Sequence, residues 1–370
     1  MKILMQHRHS EQEISGVSTY IQALSPVLQN KGHEVRVVST KEDDLQKWIK
    51  AIQWSDIVHM NSNHLLFATL SKLLGKKAII KYHYPFYQST HFEYTKTDFP
   101  RRLKQEIIHL LQKKNYPLKW KLYTAVKFSR LITRLSTAFL SDRHIACSQF
   151  LAESYSFPLK IDTVYNPIVI DRESVVLKTR DDLHQPLLFV FVGRLQNDKG
   201  VDVLLKAVKI LKSESREFKV WIIGDGSERN NLEKLASDLE ISDSVKFLGK
   251  RPNSEVKSIM GLALAVVAPS RWQEPAAYIV VEASSMQTCS IVSQVGGLPE
   301  LVGTHGFLFN NEDVVGLADW MKYCLDHPEE ALQKGWQAYQ YAAENFSPSL
   351  IADQFLQICT ELTNLSTETV

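Results

Sequence analysis

The sequence predicts an α/β protein made of two doubly wound parallel sheets that face each other across an interdomain cleft. Three observations predict it. Short β-branched runs alternate with helical stretches in two separate series, a stretch of low periodicity divides them, and 370 residues is the length of two ordinary domains.

The first series opens with a strand at Lys2 to Met5, and Gly16 then introduces Val17 to Gln29, whose apolar residues Val17, Tyr20, Ile21, Leu24, Val27 and Leu28 recur at helical spacing. Strands follow at Val35 to Ser39, Ile57 to Met60 and Ala78 to Tyr82, with helices at Leu45 to Ile52 and Leu65 to Leu74 between them. Such alternation points to a parallel sheet covered on both faces. Beyond Pro85 the chain turns basic, aromatic and helical as far as about Leu140, and strands at His144 to Cys147 and Asp162 to Tyr165 close the half. Residues 166 to 186, punctuated by Pro167 and Pro186, read as a linker. The second series places strands at Leu187 to Val192, Lys219 to Ile223, Val245 to Leu248, Ala263 to Ala268 and Ser290 to Ser293. Its helices lie at Val201 to Ser213, Arg229 to Leu239, Val256 to Met260 and Ile279 to Met286. The expected domains are therefore 1–165, with a basic helical insertion at about 94–134, and 187–347. A tail at 348–370 carries an amphipathic helix able to pack on either domain or to cross back to the first.

Hydrophobic content of 44% and charged content of 23% exclude disorder and collagen. Cys147, Cys289, Cys324 and Cys359 lie far apart with no CxxC pair, which argues against a disulfide framework or zinc ribbon and fits a reducing compartment. The longest apolar stretch, Met260 to Ala268, is less than half of the ~20 residues that a membrane span needs. A cytoplasmic protein is expected, on the inner face of the cell membrane if the basic region docks there. The net charge of +2 hides an asymmetry: residues 1 to 165 carry 24 Lys and Arg against 13 Asp and Glu, and the remainder 19 against 28. Tyr94 to Arg134 holds eleven of the basic residues, interleaved with Phe99, Tyr116, Trp120 and Phe128. This pattern fits an anionic membrane surface and a solvated helical face equally well. Nucleic acid is disfavoured, because no binding motif accompanies the charge.

Ligands of open parallel sheets bind outside the carboxyl ends of the strands. There the most informative segment is Pro269-Ser-Arg-Trp-Gln-Glu274-Pro-Ala-Ala-Tyr-Ile-Val-Val-Glu282, with one carboxylate in a loop and one in the next helix. A helix N-terminus at Ala277 and Tyr278 offers unpaired N–H groups to a phosphate. Glu274 beside it can grip sugar hydroxyls and Glu282 a ribose diol, although spacing alone also fits a helix N-terminal charge and a solvated face. A second loop, Gly193-Arg194-Leu-Gln-Asn-Asp-Lys199-Gly200, brings a planar fork and a point charge suited to a diphosphate. It is not a Walker loop, and Gly224-Asp-Gly226 lacks the third glycine of the dinucleotide fingerprint. In the first half Gly16 allows close approach to a phosphate, and His83 ends a buried strand, as His7, His9, His59 and His64 nearly do.

Taken together, these residues resemble the retaining glycosyltransferases of family 4, the GT-B fold of two Rossmann-like domains, also known as glycosyl transferases group 1. The resemblance runs over nearly the whole second domain: Phe-Val-Gly193-Arg194 with Lys199-Gly200, Ile-Gly224-Asp-Gly226, Pro269-Ser270, Glu274-x7-Glu282 and Val-Gly296-Gly297-Leu-Pro-Glu300. In the first domain it rests on Gly16, His83, Ala146-Cys-Ser148 and Val164-Tyr-Asn166-Pro. It implies that Arg194 and Lys199 bind the donor diphosphate, with Gly16 close to it, while Glu274 holds the donor sugar and Glu282 the ribose. It places Ala277 and Tyr278 at the phosphate seat and His83 near the transferred sugar. Ala276-Ala277 stand where the family has Phe-Gly, and one glycine instead of two precedes the first helix.

The implied reaction moves a sugar from a nucleoside diphosphate sugar to a hydroxyl of a glycan, lipid-linked or small-molecule acceptor, with retention. No metal or other cofactor is implied, since no DxD pair is present and cations with helix N–H groups can take the leaving charge. Two alternatives stand beside it, a nucleotide-sugar epimerase of the same fold and a non-catalytic nucleotide-sugar-binding protein.

Overall fold

The computed structural model describes residues 1–10, 15–84, 100–101, 103–104, 107–108, 118–154, 159–170 and 176–364. The chain divides into two compact units, Met1–Pro167 together with Pro348–Val370, and Ile168–Ser347.

The first unit runs β1 (Lys2–His7), α1 (Gly16–Asn30), β2 (Glu34–Ser39), α2 (Leu45–Trp54), β3 (Ile57–Met60), α3 (Leu65–Leu73), β4 (Lys77–Tyr82), α4 (Leu118–Leu140), β5 (Arg143–Ala146), α5 (Gln149–Ser154) and β6 (Ile161–Thr163). Its six strands form one parallel sheet in the order β2-β1-β3-β4-β5-β6, with Ile3 level with Val35 on one side and Ile57 on the other. Local chemistry sets the helix starts. Ser15 and Ser18 cap α1 reciprocally, the Ser18 N–H donating to Ser15 Oγ at 3.1 Å and the Ser15 N–H to Ser18 Oγ at 2.8 Å. Asp44 caps α2 through the Lys47 N–H at 2.8 Å.

The tail helix, α13 (Pro348–Asn364), completes this unit's core. Ile351, Phe355 and Cys359 are fully buried among Ile3, Met5, Tyr20 and Leu24. Two ion pairs fasten it, Lys31 to Asp353 at 2.8 Å and Arg143 to Glu361.

The second unit runs β7 (Leu188–Val192), α6 (Val201–Ser213), β8 (Lys219–Ile223), α7 (Arg229–Asp238), β9 (Val245–Gly249), α8 (Asn253–Leu262), β10 (Ala265–Ala268), α9 (Tyr278–Ser285), β11 (Cys289–Ser293), α10 (Leu298–Val302), β12 (Phe307–Phe309), α11 (Val314–Asp326) and α12 (Pro328–Asn345). The sheet is again parallel, ordered β12-β11-β10-β7-β8-β9. Its central strands are buried on both faces, which is why Leu188–Val192 and Ala265–Ala268 are unbroken apolar runs. Strand order reverses between β7 and β10, so the loops after those two strands flank the topological switch point.

Residues 176–186, expected as part of a linker, are tied into the second unit. Lys178 Nζ donates to the Ala263 carbonyl at 2.7 Å and to Thr288 Oγ1 at 3.0 Å, and Leu183 joins the core. These anchors are isolated side chains without helical or strand periodicity, so hydrophobic patterning does not reveal them. Most of the basic stretch between 94 and 117 lies outside the described residues; its last part forms α4. Among the described residues no helix is long and apolar enough to cross a membrane.

Candidate active site

At the switch point of the second sheet, the loops after β7 and β10 and the start of α9 enclose a pocket of about 250 Å³ lined by Gly193, Lys199, Ser270, Glu274, Ala277 and Tyr278, among others. Lys199 ends a single helical turn, Asn197–Lys199, and Gly200 follows with φ +65°. A Cβ at Gly200 would lie 1.9 Å from the Pro269 carbonyl oxygen, so only glycine lets the two loops come this close. Lys199 Nζ then donates to Glu274 Oε1, and both side chains are largely buried. The Ser270 hydroxyl lies 2.9 Å from the same carboxylate oxygen and 3.1 Å from the Asp198 carbonyl, so its one proton is shared between two acceptors.

The backbone around Glu274 is held from three sides. The Gly297 N–H donates to the Glu274 carbonyl at 2.7 Å, and Gln273 Oε1 accepts from the Gly296 N–H at 2.7 Å. Gly296, at φ +59°, lies against Glu274 so closely that a Cβ there would fall 2.4 Å from its carbonyl oxygen. Arg271 joins the loops: its guanidinium donates to both Asp202 carboxylate oxygens at 2.7 and 2.8 Å and to the Asn197 carbonyl at 2.9 Å, and it also pairs with Glu312. This fork pulls the Asp202 carboxyl down to about 2 against the cost of its burial. Ala277 caps α9 without a side-chain hydrogen bond of its own, and with Tyr278 it lines the pocket at the positive end of the helix dipole.

The other expected residues fall elsewhere. Arg194 is 63% exposed, hydrogen-bonded to Gln196 and 3.6 Å from Asp198, and lines a separate pocket of about 350 Å³ with Gly224, Asp225, Lys250 and Arg251. Gly193 lines both pockets. Glu282 lies along α9 and accepts from Asn253 Nδ2 at 3.2 Å. In the first unit Gly16 is the exposed first residue of α1. His83 packs edge-on against Tyr20 and donates from Nε2 to Asn61 Oδ1 at 3.0 Å. Burial, reinforced by Lys81, pushes the His83 imidazole well below its ordinary pKa, so it is neutral at pH 7. Ser270, Arg271 and Gly296 are the site's unpredicted supports. Gly296 and Ser270 stand in quoted motifs without a role, and Arg271 has no local signal because its partners are distant in sequence.

The fold and this site define a class, the two-domain Rossmann-like GT-B fold. Comparisons agree. Anabaena HepE, solved in complex with UDP, superposes with a TM-score of 0.73 at 18% identity over 98% of this chain and 100% of that one. Sucrose-phosphate synthase from Thermosynechococcus elongatus gives 0.71 at 17% identity over 98% and 99%. Residues 178–341 match the family described as Glycosyl transferases group 1. Among curated proteins, alpha-D-kanosaminyltransferase of Streptomyces kanamyceticus is 29% identical over 188 residues, 50% of this chain and 48% of that protein. The D-inositol 3-phosphate glycosyltransferase of Corynebacterium efficiens is 32% identical over 197 residues (50% and 46%). The amylovoran biosynthesis glycosyltransferase AmsK of Erwinia amylovora is 33% identical over 156 (40% and 38%). The chain thus spans less than half the length of these curated relatives.

Proposed function

We propose that the protein is a retaining glycosyltransferase that moves a sugar from a nucleoside diphosphate sugar to an acceptor hydroxyl. The observation that carries this reading is the Lys199–Glu274 pair in the pocket beside the start of α9. Two largely buried charges hold each other there, and a donor supplies a replacement partner for both. Its diphosphate takes the ammonium and the helix N–H groups, and its sugar hydroxyls donate to the freed carboxylate. As the bond between the anomeric carbon and the β-phosphate oxygen breaks, charge grows on the leaving oxygen. Lys199 and the N–H groups of α9 face that charge, and in this reading they act in place of a divalent metal. The acceptor oxygen bonds to the anomeric carbon, and its proton passes to the leaving phosphate oxygen. Glu282 takes the ribose and Arg194 the outer phosphate region. The curated relatives, glycosyltransferases by name, support the activity, and the amylovoran relative supports a role in polysaccharide assembly.

Release of UDP from UDP-glucose and other nucleoside diphosphate sugars, with and without a panel of acceptors, tests this. Lys199→Ala and Glu274→Ala are each expected to lower turnover at least 10²-fold, as loss of one preorganised charge does. Wild-type rates in either variant refute the roles. The sugar returned as its own epimer selects the epimerase, and donor binding without any release selects a binding protein.

A further inference from the structure

The loops at the carboxyl ends of β1, β3 and β4, together with α4, which carries Arg130 and Arg134, enclose a second pocket, of about 630 Å³, wholly within the first unit. It lies at that sheet's own switch point, since β1 runs between β2 and β3. Among the described residues lining it, Arg8, Lys81, Arg130 and Arg134 are basic and none is Asp or Glu. Arg8 and Arg130 are exposed and make no ion pair with a described residue. Beneath them Lys81 is 1% exposed, its Nζ donating to the Val164 and Tyr165 carbonyls and lying 4.1 Å from the centre of the Tyr20 ring.

Asn61 is the second, independent sign of a ligand. It is 4% exposed and lines the pocket, with its Oδ1 occupied by His83 and its Nδ2 buried without a partner. A buried donor without an acceptor is costly, and a bound oxygen relieves it. Two guanidinium forks, a waiting amide donor and no carboxylate among the described lining residues suit a dianion better than a neutral sugar, because the Arg fork matches phosphate oxygens pairwise. The volume leaves room for a sugar-sized body beside that group.

We propose, resting on the transferase reading above, that this pocket receives the acceptor and that the acceptor carries a phosphate ester, gripped by Arg8, Arg130 and the Asn61 amide. The phosphate belongs either to a soluble sugar or polyol phosphate or to a lipid headgroup.

Calorimetric titration of the full chain with glucose 6-phosphate, glucose and glucuronate, and flotation with phosphatidylcholine vesicles with and without phosphatidic acid, test this. The proteins are the wild type, the double variant Arg8→Gln/Arg130→Gln, whose two changes are at exposed positions, and Asn61→Asp. The wild type is expected to prefer a phosphate-bearing probe at least tenfold over its uncharged counterpart. Both variants are expected to lose at least tenfold of that affinity with UDP affinity unchanged. Loss of glucose 6-phosphate binding in the double variant makes the phosphate soluble, whereas loss of phosphatidic acid binding places it on a lipid. No phosphate preference in either arm, a preference for glucuronate, or vesicle binding that survives the double variant overturns the proposal. Failure of UDP and nucleotide sugars to bind defeats the transferase reading while leaving a measured phosphate preference standing.

Discussion

Gly296→Ala puts the support of Glu274 to a direct test. The added Cβ would stand 2.4 Å from the Glu274 carbonyl oxygen and 2.5 Å from its nitrogen, whereas ordinary contact begins at 3.4 Å, so the Glu274 backbone has to withdraw by 1.0 Å. A left-handed φ costs a residue with a Cβ about 1–2 kcal/mol, and the forced repacking adds about 1–3 kcal/mol. Together that is roughly 2–5 kcal/mol, which at about 2–4 °C per kcal/mol lowers Tm by roughly 4–20 °C. The same 1 Å displacement of a group that holds substrate costs about 10²-fold in turnover. Differential scanning calorimetry and initial-rate assays of nucleotide release read the two effects separately. Gly261→Ala is the control, since its Cβ meets only the flexible end of Met286, at 3.3 Å, and little change in either readout is expected. Wild-type Tm and kcat/KM in Gly296→Ala would refute the claim that this glycine sets the position of Glu274.

Three further outcomes follow from the same geometry. Arg271→Met removes a two-pronged, partly buried ion pair with Asp202 and is expected to cost about 2–4 kcal/mol of stability and to raise the KM for donor at least tenfold, read by thermal unfolding and initial rates. Burial holds the imidazoles of His59 at about 3 and His144 at about 4 against an ordinary 6.5. The unfolded chain therefore binds their protons first, and stability is full above pH 6.5 and declines as pH falls from there towards 4, by up to ~1.4 kcal/mol per pH unit for each. Urea unfolding between pH 7 and 5 checks this, and His144→Phe should flatten the slope. Phe355→Ala, at a fully buried position of α13, is expected to destabilise the first unit by about 3–5 kcal/mol, seen by hydrogen exchange at β1 and α1, while the second unit's exchange is unchanged.

The strands are largely legible in the sequence because a parallel strand covered on both faces leaves an unbroken apolar run, as at Leu188–Val192 and Ala265–Ala268. β12 escapes because three residues, Phe307–Phe309, are too few to show a period. Helices α11 and α12 escape despite local signals, the Asp313 carboxylate that accepts from the Gly316 N–H and Pro328 at the first helical position. In the site, Lys199 and Glu274 are legible as charged residues on loops after strands. Their mutual pairing is not, because it joins positions 75 apart through a loop contact only Gly200 permits. The fork at Arg194 reads as a partner of Lys199, yet the side chain follows Gln196 and Asp198 into another pocket.

The return of α13 to the first sheet has a consequence for biosynthesis. Residues 168–347 are contiguous, so a ribosome delivers everything the second unit needs before Ile351 and Phe355 exist. The N-terminal sheet, although made first, must wait with Ile3, Met5 and Leu24 uncovered until the last helix emerges. Nascent chains stalled before Pro348 would then expose an apolar face to chaperones, and maturation order would run opposite to translation order.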